Sequence, residues 1–358
     1  MTLAAVRNLA SPRVLSSAVD EEDFEQEIVD QYALALAAAG AGDSSVEFNC
    51  RAAVEFVRSS DRRLWAVGAE DADRYLVRLR REQGRKPSTV QGYAGAIARF
   101  YDFVVSRYQG DIHALTGCVA TQPIDEFNRP AKANHASVRV PPARAEVEEL
   151  FGQWAAHLPS TRKYLPAARD YLAASLWRRG GLRIRETAML DMRDWRPDLG
   201  RWGKLHIRYG KGSRGRGPKT RLIPAIDGID TLMQWWLTDV RHQFDDDWRN
   251  PDAPLLPSER RDEMTGSCTR IGTDPLRSGL ATAVAAWLPD WKGRLTPHGL
   301  RHYCASELYG RGVDLKAIQD LLGHNWLSTT THYIHVPAQH IENEWLHAND
   351  RTTLRLLG

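Results

Sequence analysis

Cysteine is scarce in this chain of 358 residues, and the chain has no long apolar run. The four cysteines are widely scattered without a CxxC pair, which argues against a disulfide framework or a zinc ribbon. No window approaches the roughly 18 apolar residues that a membrane span needs. The first residues also lack the apolar core of a signal peptide. We therefore expect a cytoplasmic protein without a membrane partner.

Length and composition predict a folded chain of two domains. A single hydrophobic core rarely keeps growing beyond roughly 250–300 residues, and 42% hydrophobic with 26% charged residues is typical of globular proteins. Residues 1–140 carry 17 basic and 19 acidic side chains, whereas residues 141–358 carry 31 and 26. Residues 201–221 hold eight Lys or Arg and no acid. This basic stretch predicts an anionic partner, with nucleic acid the first candidate.

The N-terminal part reads as helical. An acidic helix is expected from about Asp20 to Leu36. A longer amphipathic helix is expected from a cap at Ser88 to Tyr108, because apolar residues recur there at spacings of three and four. Four prolines and weak periodicity in residues 121–145 predict an interdomain linker.

The C-terminal part reads as mostly helical with one small β-sheet. The strings KLHIRY and TRLIPA flank a turn rich in glycine and arginine, and this arrangement predicts a β-hairpin. Further on, a helix capped by Asp314 and closed by Gly323 is expected. The fold class predicted for the whole chain is therefore mostly α with a small β-sheet.

Two motifs are misleading. Residues 210–215 satisfy GxGxxG, but a dinucleotide site needs a helix next, and the residues that follow are GPKTRLIPA. His298 and His302 have the i, i+4 spacing of a zinc pair, yet the glutamate of HExxH is absent and Arg301 lies between them. We expect neither a cofactor nor a metal.

Four segments of the C-terminal half are informative together: GLRIRE (181–186), YGKGSRGRGPKTR (209–221), HGLRH (298–302) and LLGHNWLSTTTHY (321–333). Each is weak alone. In this order and spacing they resemble the tyrosine recombinase family of phage integrases and Xer-type proteins. The resemblance spans nearly all of residues 145–350, and the N-terminal half is more weakly similar to the family's helical core-binding domain.

The resemblance implies an α+β catalytic domain behind a helical DNA-binding domain. The implied divisions are an N-terminal extension (1–19), a core-DNA-binding domain (20–122), a linker (123–143), a catalytic domain (144–336) and a tail that docks on a neighbouring protomer (337–358). The alternative for the tail is a helix that packs on the core of its own chain.

The chemistry of strand cleavage agrees with the resemblance. Cleaving a phosphodiester without metal requires cations around the non-bridging oxygens, a nucleophile and groups that move protons. Guanidinium groups suit the first task because they stay charged and can hold phosphate with two hydrogen bonds. The resemblance assigns this task to Arg183 and Arg301 and makes Tyr333 the nucleophile; a phenol has an unperturbed pKa near 10 and needs help from a base to lose its proton.

The remaining catalytic roles are also implied by the resemblance. His298 accepts the tyrosine proton, His324 donates a hydrogen bond to the phosphate, and Glu186 supports the pocket. Lys211 matches the general acid that protonates the leaving 5′-oxygen. Because the turn after Gly210 is long and rich in glycine, Lys219 stays an alternative to Lys211.

Other polar residues are candidates for binding DNA. Basic residues around the hairpin are expected to contact backbone phosphates, which gives salt-dependent affinity without sequence information; they are Arg208, Arg214, Arg216 and Arg221. On the helix after Lys86, the expected contacts in the major groove are Thr89, Gln91 and Arg99.

The leading hypothesis is a site-specific DNA recombinase of a mobile element, of integrase or transposon type. It would act without metal or ATP through a 3′-phosphotyrosyl intermediate and a Holliday junction. The expected partners are double-stranded DNA with a specific site, three further copies in a tetramer, and an accessory factor of unknown identity. The protein is expected to be associated with the nucleoid. The alternatives are Xer-like resolution of chromosome or plasmid dimers, a type IB topoisomerase, and a non-catalytic DNA-binding protein of the same fold.

Overall fold

The computed structural model describes residues 15–131, 140–210 and 219–323. The described residues divide into two compact units, the first formed by residues 15–131 and the second by residues 140–210 and 219–323. In these ranges no helix combines the length and the apolar character needed to cross a membrane. Helices dominate both units, and the strands form small antiparallel sheets.

The regular elements of the first unit, in its described part, are all helices. Its helices are α1 (Ala18–Ala38), α2 (Asp43–Arg58), α3 (Ala69–Arg81) and α4 (Pro87–Thr116). The predicted amphipathic helix is α4, and its apolar positions form much of the core. The buried members of that pattern are Val90, Tyr93, Ile97, Phe100, Tyr101, Val104 and Tyr108.

The predicted start and end of α4 were wrong. The helix begins at Pro87, with Lys86 at the N-cap position and no side-chain capping bond, so Ser88 lies inside the first turn. Proline suits the first helical position because its fixed φ matches the helix and its missing N–H would have no partner there. The helix continues to Thr116 and ends at Gly117, whose φ is +70°.

The segment after α4 packs on the first unit. Ile124 is buried in the core, and the Gln122 side chain donates a hydrogen bond of 2.9 Å to the Ala98 carbonyl. Asn128 donates to the Pro123 carbonyl at 2.8 Å. The described beginning of the predicted linker, residues 123–131, therefore contains ordered, packed side chains.

The second unit contains seven described α-helices and five described strands. The helices are α5 (Arg144–His157), α6 (Tyr164–Gly180), α7 (Ile184–Ala188), α8 (Ile229–Trp235, continued by tighter and wider turns to Phe244), α9 (Thr273–Trp287), α10 (Pro297–Gly310) and α11 (Leu315–Leu322). The strands are β1 (Trp195–Arg196), β2 (Lys204–Gly210), β3 (Lys219–Pro224), β4 (Pro257–Arg261) and β5 (Cys268–Arg270).

The predicted hairpin is confirmed, and a second one had been missed. Strands β2 and β3 pair antiparallel, with Leu205 opposite Ile223, and β1 adds a short third strand. Strands β4 and β5 form a separate two-stranded sheet. The sequence of β4, PSERR, is charged and mostly exposed, so it carries none of the alternation that predicts a strand.

Helix α6 is the centre of the second unit. Residues 172–177 are all buried, and the helix packs against α8, α9 and α10. Trp177 is fully buried and its indole N–H donates to the Thr187 hydroxyl at 2.9 Å. This burial fixes the end of α6, and with it the turn that leads into α7.

Candidate active site

The turn between α6 and α7 requires a glycine. Gly181 ends α6 with φ +62°, in the left-handed region that favours glycine. A Cβ at this position would lie 2.5 Å from Leu322 Cδ2 and 3.3 Å from Cys304 Sγ. The ends of α6 and α11 therefore approach each other here more closely than any side chain allows.

Gly181→Ala is expected to lower the free energy of unfolding of the second unit by about 2–4 kcal/mol, because left-handed strain and overpacking add. Tryptophan fluorescence in urea measures this, since eleven of the twelve tryptophans lie beyond residue 150. The matched control is Gly312→Ala, at φ +81° with nothing within 4 Å of the added carbon. Equal losses in the two variants would show that crowding against Leu322 has no effect.

Arg183 occupies the N-cap position of α7 and pairs with Glu186 one turn later. Its backbone N–H donates to Glu186 Oε2 at 2.9 Å, and its Nη1 donates to Oε1 at 2.7 Å. The backbone contact is the N-terminal hydrogen bond of a capping box. Local helix geometry thus places this guanidinium, whose side chain is 25% exposed.

Glu186 is a buried carboxylate shared by arginines. Arg221 of β3 donates Nη1 to Oε1 at 3.0 Å and Nη2 to Oε2 at 2.7 Å. Burial raises the pKa of Glu186, but the hydrogen bonds and charge of Arg221, with the charge of Arg183, outweigh it and lower the pKa to about 2. The group is therefore a carboxylate throughout the physiological range.

Arg301 of α10 also lies beside the Glu186 carboxylate. Thr296 caps that helix by accepting from the Gly299 N–H at 3.1 Å. The Arg301 side chain is 1% exposed, and it donates to the Gly181 and Leu322 carbonyls, the latter at 2.6 Å. Its Nη1 lies 4.0 Å from Glu186 Oε2.

The three arginines converge on the C-terminal end of α11. The carbonyls of residues 321–323 accept in turn from Arg221 Nε at 2.8 Å, Arg301 Nη2 at 2.6 Å and Arg183 Nη2 at 3.5 Å. The last carbonyls of a helix lack partners within it and carry the negative end of its dipole. Cations therefore stabilise this end. The predicted cap at Asp314 and the closing Gly323, with φ +67°, are both confirmed.

His298 lies in the first turn of α10, three residues before Arg301, and is exposed. Its ring packs edge to face against that of His302, with centroids 4.7 Å apart. Both rings border a cleft of about 430 Å³ that Trp291, Leu295 and Thr296 also line. Within the described ranges, no cluster of three or more His, Cys, Asp or Glu side chains could hold a metal ion.

The structure thus brings together Arg183, Glu186 and Arg301 of the predicted catalytic set. His298 is placed on the same helix as Arg301. Three predicted catalytic residues lie outside the described residues: Lys211, His324 and Tyr333. Lys219, the alternative general acid, is exposed at the start of β3, opposite Gly210.

Two predicted phosphate contacts are engaged inside the unit. Arg208 of β2 donates to the buried carboxylates of Asp191 and Asp194, with Nε 2.6 Å from Asp194 Oδ1. Arg221 is engaged by Glu186 in the same manner. Neither is the solvated guanidinium that the basic run suggested. Arg214 and Arg216 lie outside the described residues.

The three predicted base contacts share helix α4 but not one face. Thr89 and Gln91 are half-buried, and they lie about 160° apart around a helix of 3.6 residues per turn. Arg99 is exposed, and its Nη2 donates to Asn49 Oδ1 of α2 at 2.7 Å. A single groove contact through all three would need them on one side, so their role stays a prediction.

The pairing of Arg221 with Glu186 was missed by sequence reasoning, although strand alternation carried a signal. In β3, Leu222 is 43% exposed while Ile223 is fully buried, so Arg221 shares the inward face with Ile223. An arginine on the inward face of a strand needs a buried acceptor. Within the recognised motifs, the nearest acid was Glu186, which pairs with Arg183 at the i, i+3 spacing.

Comparison with known proteins identifies the family. Residues 156–340, a little over half of the chain, match the model of the phage integrase family. The chain is 26% identical to a tyrosine recombinase XerC of Bradyrhizobium diazoefficiens over 290 residues, covering 81% of this chain and 80% of that protein. It is also 26% identical to a XerD of Shewanella oneidensis over 284 residues, with coverages of 78% and 81%.

Solved structures share the fold at lower identity. The Tn1549 transposon integrase in complex with a circular intermediate DNA has a TM-score of 0.62 at 16% identity, covering 90% of this chain and 99% of that one. The XerH recombinase bound to a palindromic difH substrate has a TM-score of 0.62 at 18% identity, with coverages of 92% and 84%. The chain belongs to the phage integrase family and is a site-specific tyrosine recombinase.

Proposed function

We propose that the chain cuts and rejoins double-stranded DNA at a specific site, with Arg183 and Arg301 binding the reacting phosphate. The convergence of these two guanidiniums beside the buried Glu186 carboxylate carries the proposal. With Arg221, three positive charges surround one negative charge, which leaves an excess of two. A phosphodiester passing through a pentacovalent transition state gains negative charge, and such a cluster stabilises it.

Tyr333 is the proposed nucleophile. Its phenolic oxygen attacks phosphorus, and the phenolic proton passes to His298. The bond from phosphorus to the 5′-oxygen breaks, and Lys211 protonates that oxygen, with Lys219 as the alternative donor. The products are a 3′-phosphotyrosyl link and a free 5′-hydroxyl. One ester bond replaces another, so an incoming 5′-hydroxyl can reverse the step without ATP or a metal.

His324 is proposed to hydrogen-bond a non-bridging oxygen beside the two arginines. Its place in the sequence supports this, because it directly follows Gly323, whose carbonyl already accepts from Arg183. An imidazole is a suitable donor to phosphate at neutral pH, in either its neutral or its charged form. Removing it is expected to matter less than removing either arginine.

Two duplexes are proposed to recombine through a Holliday junction in a tetramer of this chain. The tail, residues 337–358, would dock on a neighbouring protomer and couple assembly to the placement of Tyr333. Among the structural neighbours, a lambda integrase fragment is a dimer bound to a core site. An accessory factor and the nucleoid as the place of action belong to the same proposal, as do base contacts by Thr89, Gln91 and Arg99.

Two biological roles fit this chemistry. Integration or excision of a mobile element is the leading one, and the fold shared with the Tn1549 transposon integrase is consistent with it. Resolution of chromosome or plasmid dimers is the second, favoured by relatives named XerC and XerD that align over about four fifths of the chain. The two roles differ in where the target site lies.

Capture of covalently attached DNA tests the function. The full-length chain is incubated with fragmented and nicked DNA from its source, the mixture is denatured in detergent, and the attached DNA is sequenced. A nick near the cleavage point releases a short fragment and traps the adduct. Protein denatured before mixing is the control.

We expect attached DNA to share one sequence. Attachment at the ends of a mobile element would support integration, and attachment at a single chromosomal or plasmid locus would support dimer resolution. Attachment to DNA without sequence preference would instead favour a topoisomerase. Duplex binding without any attachment would overturn the proposal in favour of a non-catalytic DNA-binding protein.

A further inference from the structure

We propose that Arg221 is a positioning residue that saturates the Glu186 carboxylate, so that Arg301 keeps its place beside Arg183 for the binding of one phosphate. The inference rests on the proposed function. It replaces the role suggested by the charge pattern, in which Arg221 would itself contact the DNA backbone.

All three nitrogens of the Arg221 guanidinium are engaged within the protein. Two donate to the two oxygens of Glu186, at 3.0 and 2.7 Å, and Nε donates to the Leu321 carbonyl at 2.8 Å. The side chain is 10% exposed. This planar fork is specific to arginine, since a lysine is a point charge that cannot hold both acceptors in one plane.

The hydrogen bonds to Glu186 fill the carboxylate. An ionised carboxylate offers about four lone-pair sites on two oxygens. Oε1 accepts from Arg183 Nη1 and Arg221 Nη1, and Oε2 accepts from the Arg183 backbone N–H and Arg221 Nη2. Arg301 Nη1, 4.0 Å from Oε2, is the nearest further arginine and is too distant for a hydrogen bond.

Loss of Arg221 would therefore change more than one contact. Two lone-pair sites of a buried carboxylate would open within reach of Arg301, and a buried charge draws the closest available donor. Arg301 would then turn toward Glu186, and one of the two phosphate ligands would be diverted. Arg221 prevents this by occupying the sites itself.

The backbone at Gly323 gives independent support, because it leaves a defined place for the Arg221 guanidinium. Its φ is +67°, and a Cβ there would lie 3.1 Å from Arg221 Nη1 and 3.3 Å from Cζ. The glycine that closes α11 thus leaves space for the guanidinium against the backbone. On its other side, Arg221 is opposite Ile207 in the β2–β3 register, which fixes the direction of its side chain.

The test compares Arg221→Met and Arg221→Lys with Arg241→Met in the full-length chain. Arg241 is a matched control, because it also forks on one carboxylate, Asp246, at 2.6 and 3.1 Å and donates Nε to a backbone carbonyl. Single-turnover adduct formation on a nicked site is measured beside duplex affinity in gel shifts. Arg221→Met is expected to slow adduct formation roughly 10- to 100-fold with little change in affinity.

Arg221→Lys should fold more readily than Arg221→Met. It should still react more slowly than the wild type, because its single ammonium cannot fill both oxygens of Glu186. Arg241→Met should alter stability but leave the rate of the folded protein unchanged. Hydrogen exchange in residues 315–323 gives a measurement without DNA, and faster exchange is expected in Arg221→Met only.

A double variant separates diversion of Arg301 from general loosening. In Arg221→Met combined with Glu186→Gln, no buried charge remains to attract Arg301, so adduct formation should be at least as fast as in Arg221→Met alone. Losses that multiply would overturn the positioning role. So would an Arg221→Met protein that reacts as fast as the wild type. A wild type that forms no adduct on any DNA would instead refute the proposed function, and the inference with it.

Discussion

Tyr333→Phe is expected to abolish covalent attachment to DNA while leaving duplex binding intact. The substitution removes one oxygen atom and keeps the ring, so the only chemical loss is the nucleophile. A phenol with a pKa near 10 becomes a useful nucleophile only when a neighbouring base takes its proton as the bond to phosphorus forms. Neither event can occur without the oxygen, and no intermediate with a 5′-hydroxyl can form.

Attachment is measured on a nicked duplex that carries the captured sequence, as the fraction of protein that migrates with DNA after denaturation. The matched control is Tyr209→Phe, the same chemical change at an exposed tyrosine of β2 that lies beneath the Arg208 guanidinium. Tyr209→Phe should attach DNA at the wild-type rate. Persistent adducts in Tyr333→Phe would assign the nucleophile to another side chain.

The parts of the site that follow from local sequence could be predicted. The hairpin strands β2 and β3, the Asp314 cap and the closing Gly323 depend on residues within a few positions of each other, and all were anticipated correctly. The pairing of Arg183 with Glu186 is an i, i+3 contact visible in GLRIRE. Such features depend on local chemistry and do not require knowledge of tertiary contacts.

The parts that depend on distant contacts could not be predicted. Arg221 and Glu186 are 35 positions apart, and Arg221 meets the Leu321 carbonyl across 100 positions. The sequence of a basic run does not show whether its side chains face solvent or a buried carboxylate. The prediction of where α4 starts was wrong for another reason, since proline at the first helical position competed with the serine cap one residue later.

The end of α11 explains how one fold element can hold several charged groups of the site. Three consecutive carbonyls take one hydrogen bond from each of three arginines, which come from β3, from α10 and from the turn before α7. Because the helix end is a fixed array of acceptors, it sets the spacing between the guanidiniums. The charged groups then need little reorganisation when phosphate binds. Such a site stabilises the transition state better than water does, because water must reorient around the developing charge.

Glu186→Gln is expected to destabilise the second unit and to slow adduct formation about 100-fold. A carboxylate whose pKa falls from 4.5 to about 2 on folding contributes roughly 3 kcal/mol to the free energy of unfolding at pH 7, at about 1.36 kcal/mol per pKa unit. Glu186→Gln loses this contribution to the free energy of unfolding, because it leaves Arg183, Arg221 and Arg301 around a neutral amide. An uncompensated cluster of buried cations is strongly unfavourable.

The pH dependence provides the sharper measurement. Because the pKa of Glu186 is lower in the folded state, its contribution is complete above pH 4.5 and is lost as the pH falls toward about 2. Urea unfolding, followed by tryptophan fluorescence, should therefore show wild type and Glu186→Gln far apart at pH 7 and converging near pH 2 to 3. Glu148→Gln is the control, since that carboxylate pairs with Arg144 on the exposed face of α5 and should change stability little. A stability difference between wild type and Glu186→Gln that stays constant from pH 7 to pH 3 would mean that Glu186 is not held as a carboxylate by Arg221 and Arg183.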